Sequence, residues 1–199
     1  MRVLVFSLMI LGLAACSGPA AYRNGVGPVA QFDLGLEDEA LPLGARPWRF
    51  SVLATGPFEE RAMRYRLMYA DPARVREYAQ SRWAGLPGEL LERRLETRLF
   101  WPMGEPASRC ATTLELRRFE QVFETPAESA GVLALRAQLR QPGGGVVDER
   151  FFSTRRAAAQ PDAGGGVRAL AEAADAMAQQ LLDWQREGRV AGQHRSCWE

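Results

Sequence analysis

Residues 63–99 constrain the fold more than any other stretch, because they demand a strand, a turn and a helix in that order. Met63, Tyr65, Leu67 and Tyr69 alternate with Arg64, Arg66 and Met68, which is the period of a half-buried strand. Pro72 has no N–H for a ladder and biases Asp71 away from helical angles, so the chain is expected to turn at Asp71-Pro72. An aromatic and basic segment, residues 78–83, follows. A helix is then expected from Pro87, which suits a first turn, with Glu89 at its positive end and Leu91, Leu95 and Leu99 at four-residue spacing among Arg93, Arg94 and Arg98.

The other segments read as sheet and one closing helix. Residues 29–35 and 48–54 have the pattern of two short strands, separated by an acidic, proline-bearing loop. Residues 101–106 form a breaker cluster. From Cys110 a long alternation begins in which Leu114 and Leu116 share one face and Phe119 and Phe123 fall on the other, which predicts a bulge near Arg117-Arg118 or a change of covered face. A turn over 125–131, strand residues 133–139, a glycine loop and a returning strand over 146–154 complete an antiparallel meander. Residues 157–166 read as an Ala/Gly loop. Val167, Leu170, Ala171, Ala174, Met177, Ala178, Leu181 and Trp184 mark one face of a helix of about six turns. Core packing and self-association are both open to its small side chains. The fold class that follows is α/β: a mixed, largely antiparallel sheet with a central helix and a C-terminal helix packed on it.

The chain opens with Arg2, an apolar run over residues 3–13 and then Leu13-Ala14-Ala15-Cys16. This pattern is a signal peptide, too short to span a bilayer. Its small residues before a cysteine resemble the bacterial lipobox, which implies that residues 1–15 are removed and that Cys16 carries the lipid. Ser17 favours the outer membrane by the same resemblance. Residues 16–28, rich in Gly, Pro and Ala, read as a flexible tether, and residues 29–199 as one domain on length alone.

The order of a strand bearing Tyr65, Arg66 and Tyr69, then Tyr78, Arg82, Trp83 and Pro87, then a helix with Leu90, Leu91 and Leu95, resembles the PqiC-like ABC-type transport auxiliary lipoproteins. Residues 29–35 resemble that family's opening segment, with Phe32 where a tyrosine is usual. The resemblance spans about residues 29–187. It implies a lipid-anchored, periplasm-facing component of an intermembrane lipid transport system, with an ABC permease, an ATPase and an MCE-type protein as partners. The family includes ring-shaped homo-oligomers. An alternative of another class is an envelope assembly or stress lipoprotein that binds a protein or glycan.

Charge and motifs narrow the field further. The 25 basic residues, every one an arginine, balance 24 acidic ones, so no global field points to nucleic acid. The arginines read as a coding bias toward GC-rich codons, with recognition of lipid phosphates as the alternative. There is one histidine, His194, and no Gly-x-Ser-x-Gly, Cys-x-x-Cys or Gly-Lys-Ser/Thr, so neither an enzyme, a metal site nor a cofactor is expected. Tyr78, Arg82 and Trp83 are the candidate interface. If residues 73–83 are helical they lie near one face, and the competing reading makes both aromatics core pieces. Lipidation of Cys16 would leave Cys110 and Cys197 as an even pair in an oxidising compartment, which predicts a disulfide that fastens the C-terminal tail.

Overall fold

The computed structural model describes residues 27–35, 49–99 and 108–197. The signal segment, Cys16, most of the tether, the acidic loop, the 101–106 cluster and Trp198 lie outside the described residues. Within them the order is β1 (Ala30–Phe32), β2 (Arg49–Leu53), β3 (Ala62–Leu67), β4 (Asp71–Trp83), α1 (Pro87–Arg98), β5 (Ala111–Phe123), β6 (Ser129–Arg140), β7 (Val146–Ala157) and α2 (Ala163–Val190). The strands form one seven-stranded sheet in the order β1-β4-β3-β5-β6-β7, with β2 also on β5. The α/β class, with a largely antiparallel mixed sheet and two helices, is as the sequence predicts.

The long meander β5-β6-β7 makes up one half of the sheet, and one side of it carries the core. The bulge expected near Arg117 is present: the β5–β6 register shifts between Leu116 and Arg118. That one extra residue moves Phe119 and Phe123 onto the face already used by Leu114 and Leu116, so a single layer forms with Leu133, Leu135, Ala137 and Leu139. Helix α2 covers this layer with Leu170, Ala173, Ala174, Met177, Ala178, Leu181 and Trp184, all buried. Its alanine face is therefore core. Gly131 is what lets the helix approach, since a Cβ there would lie 2.6 Å from the Leu170 nitrogen.

Three boundaries differ from the sequence reading. The turn after β3 falls at residues 68–70, and Asp71-Pro72 opens β4, an exposed hairpin end where the missing proline N–H costs nothing. The turn after β5 is shorter than expected, so Gly131 lies inside β6. The glycines 164–166 belong to α2 and not to a loop. Asp162 caps that helix, its Oδ1 accepting the Gly165 N–H at 2.7 Å. Side chains are excluded at two positions of the first turn, because a Cβ on Gly166 would strike the Gln121 side chain and one on Gly165 the Gln160 carbonyl.

Helix α1 begins at Pro87 as expected, with the Glu89 carboxylate accepting the Leu86 N–H at 3.4 Å. Leu91 and Leu95 are fully buried. Glu92 accepts the Val52 N–H at 2.7 Å, so α1 closes the outer edge of β2. Cys110 and Cys197 are joined in a disulfide, as the sequence predicts. Arg109 N–H donates to the Cys197 carbonyl at 2.9 Å, so the tail is tied to the start of β5 by backbone as well.

Candidate functional site

Tyr78, Arg82 and Trp83 sit on a strand, not a helix. In the β3–β4 ladder Ala62 is opposite Arg82 but Arg64 is opposite Glu77, so β4 carries three extra residues between those pairs. This odd insertion turns Tyr78 and Trp83, five apart, toward the same helix-covered face. Trp83 is 1% exposed and lies 5.1 Å from the Phe119 ring. It is a core residue. Tyr78 is half-buried, 4.7 Å from the Tyr65 ring, and its hydroxyl donates to Gln121 Oε1 at 2.9 Å. Gln121 in turn donates to Ser129 Oγ at 2.8 Å. Burial pushes the Tyr78 phenol well above its ordinary range, so it remains a proton donor. Arg82 is exposed and, by alternation, points away from Trp83. The three do not make one interface: two build the core and one faces solvent.

The concave surface lies on the other side of the sheet. β2 and β3 both run parallel to β5 along the same edge, pairing with residues 111–115 and 121–123. The residues between, which include the bulge at Arg117, pair with β6 on their other side but have no strand on this edge. Over this gap opens a groove of about 680 Å³. Arg64, Arg66, Arg117 and Arg118 line it together with Phe58, Met68 and Val75. Met68 and Val75 are 38% and 43% exposed.

The charges in this groove are organised around Glu120. Its carboxylate, 9% exposed, accepts from Arg66 Nε at 2.9 Å and from Arg118 at 2.7 Å. Arg66 also donates to the carbonyls of Pro72 and Ala73 at 3.1 and 3.2 Å, which fastens the β3–β4 hairpin over the groove. Arg64 pairs with Glu60 and Glu77. A cleft of guanidiniums held in place by carboxylates, with apolar side chains between them, is suited to recognising a surface of mixed polarity. The sequence reading missed it, because its residues come from the Gly56–Phe58 turn, β3 and the turn after it, β4 and β5, and meet only once the antiparallel β3–β4 hairpin pairs parallel with β5.

Two polar networks were also not foreseen. His194 is fully buried, and its Nε2 lies 2.9 Å from Asp148 Oδ2, which also accepts from Trp184 Nε1 at 2.7 Å. The ring packs where a Cβ on Gly188 would otherwise be, and edge-on to Trp184. Burial works against the charge of Asp148, but hydrogen bonds from His194, Trp184 and the Glu149 N–H outweigh it and hold the carboxyl below its usual range. His194 is a packing residue enclosed by protein. The second network centres on Arg94, 2% exposed, whose guanidinium grips Asp175 of α2 at 2.9 and 2.7 Å and donates to the carbonyls of Leu34 and Gly35 at 2.6 and 3.0 Å. Arg98 adds a further bond to Asp175 at 2.8 Å. One arginine thus joins both helices to the N-terminal strand segment.

Among the described residues no cluster of His, Cys, Asp or Glu could hold a metal ion, and no helix is long and apolar enough to cross a membrane.

No family model matches the sequence, and no curated protein is significantly similar to it. Among solved structures the chain is similar to protein XCC0632 from Xanthomonas campestris, assigned to family DUF330, with a TM-score of 0.62 and 21% identity. That likeness covers 83% of this chain and 97% of the other. A crystal structure of an uncharacterized protein is similar with a TM-score of 0.56 at 15% identity, covering 81% of this chain and 99% of that one. At such identities it is the fold that is shared, a mixed α/β sheet carrying two helices among the described residues.

Proposed function

We propose that this chain is a non-enzymatic lipoprotein of the bacterial outer membrane, anchored through Cys16, that serves as an auxiliary component of an ABC-type intermembrane lipid transport system. The single observation that carries the reading is the pattern around Tyr65, Arg66, Tyr78, Arg82, Trp83 and Pro87, in a chain that begins with a lipobox-like Leu13-Ala14-Ala15-Cys16. The fold shared with XCC0632 agrees with it. In this reading the acyl chains hold the protein at the membrane, each buried CH₂ contributing about 0.8 kcal/mol. The tether sets its reach, and the arginine-lined groove takes a partner subunit of the transporter, an MCE-type protein or the permease.

The anchor and the groove are tested separately. Cys16→Ala should yield an unlipidated protein that no longer fractionates with the outer membrane; a variant that still partitions into detergent like the wild type would sink the lipoprotein reading. Arg66→Glu should leave membrane attachment intact and abolish recovery of partner subunits. If Arg66→Glu recovers partners as well as the wild type does, the groove is not the docking surface.

A further inference from the structure

The turn over residues 68–70 that joins β3 to β4 is exposed, as are the first residues of β4 after it. Tyr69, at the tip, is 49% exposed. Arg74 is exposed and Arg76 partly so, and neither side chain has a carboxylate partner among the described residues. Asp71, the acid of the tip, has its Oδ1 turned to the Ala73 N–H at 3.1 Å. At the same end Glu124, after β5, is held by Arg155 at 2.6 Å, and Glu128 and Arg156 lie beyond it. The hairpin's two arginines stay unpaired. Alternation along β4 also keeps them apart from the groove, which Val75 lines and Tyr69, Arg74 and Arg76 do not.

The topology decides what this tip faces. β1 pairs parallel with β4, with Ala30 opposite Ser81, and β4 starts beside the hairpin turn at Asp71. Traced backward from Ala30, the chain therefore leaves the sheet toward the tip. Val29 keeps to this path, lining one hollow with Tyr78 and Ala79. Cys16 lies fourteen residues before Ala30, a reach of up to about 46 Å when extended. From Ser81 to Asp71 is ten residues of strand, about 33 Å. An anchor at Cys16 can thus enter a bilayer at the level of the tip with chain left over. The opposite end of the sheet, where β5 and β7 begin, is reached only if the chain doubles back.

We infer that the β3–β4 hairpin tip is the surface by which the anchored domain rests on its bilayer, with Tyr69 in the headgroup layer and Arg74 and Arg76 forking onto lipid phosphates. The inference rests on the Cys16 anchor proposed above. It adds which end of the domain meets the lipid, and it leaves the groove, on the face of the sheet, free for a partner subunit.

The test uses the full-length lipidated chain in vesicles of phosphatidylethanolamine and phosphatidylglycerol with brominated acyl chains. With Cys16 acylated and Cys110 bridged to Cys197, Tyr69→Cys and Val146→Cys each offer a single thiol for a fluorophore, one at the tip and one at the far end. Quenching by the lipid should be greater at residue 69 than at residue 146, roughly twofold or more, as for a side chain at the membrane interface. Ala70→Cys, in the same turn, should behave like Tyr69→Cys and replaces it should that variant fail to fold. Adding Arg74→Glu and Arg76→Glu should bring the tip signal down to that of residue 146 while the protein still floats with the vesicles, because the anchor is untouched and only the attraction to anionic lipid is reversed. Protein that floats but is quenched no more at the tip than at residue 146, or a tip signal that survives the charge reversal, would overturn the inference alone. Protein that does not float with the vesicles at all would overturn the anchor and the inference together.

Discussion

Trp83 and Arg82 are neighbours in sequence and opposite in role, and the difference is measurable. Trp83→Ala should cost about 3–5 kcal/mol of stability, as buried aromatics do. Arg82→Ala, on the exposed face, should stay within roughly 0.5 kcal/mol. Urea titration of both variants checks the pair, and a neutral Trp83→Ala would mean that the aromatic is not in the core. Asp148 gives a pH signature. Its carboxyl is held below the ordinary carboxylate range of about 4 in the folded state, so the stability it adds is present above that range and lost as pH falls through and below it. Unfolding midpoints measured against pH should therefore drop more steeply in acid for the wild type than for Asp148→Asn. Equal slopes would remove the network from the account.

At the scale of elements, the alternating strands were legible because each exposes one face to the helices and one to solvent, and the residue pattern records which is which. The β5 bulge was legible for the same reason: two leucines and two phenylalanines of opposite parity can share a core only if one residue is extra. The β4 insertion misled for a related cause. A spacing of five between Tyr78 and Trp83 reads as helical, and only the register against β3 shows that three inserted residues achieve the same alignment on a strand. Glycines 164–166 hid the start of α2, since the tight contacts with Gln121 and Gln160 that demand two of them, Gly166 and Gly165, are far away in sequence or outside the helix pattern. His194 and Arg94 were opaque because their partners, Asp148 and Asp175, lie 46 and 81 residues distant. The helix junction yields its own prediction. Asp175→Ala removes the carboxylate that both Arg94 and Arg98 bond and should destabilise by about 3 kcal/mol, with hydrogen exchange rising first in α1 and the β1 segment. A loss confined to α2 would contradict the role given to Arg94.

At the scale of the whole molecule, the N-terminal and C-terminal segments are fastened to the sheet by different means. The β1 end is held by Arg94, and the C-terminal tail by His194 and the Cys110–Cys197 bridge, which spans 87 residues. By the chain-entropy model that bridge contributes roughly 4–5 kcal/mol. Intact-mass analysis after alkylation of unreduced, unfolded protein should find neither of these cysteines modified, and both modified after reduction. What remains is one face covered by helices and one open face bearing the groove, and the proposed function assigns that groove to a partner subunit. The most direct test of that account is purification of the full-length chain from its native membranes in mild detergent, followed by mass spectrometry of what accompanies it. The account predicts recovery of an ABC permease, its ATPase and an MCE-type protein, reduced at least tenfold by Arg66→Glu; wild-type protein that repeatedly comes away with none of the three would contradict it.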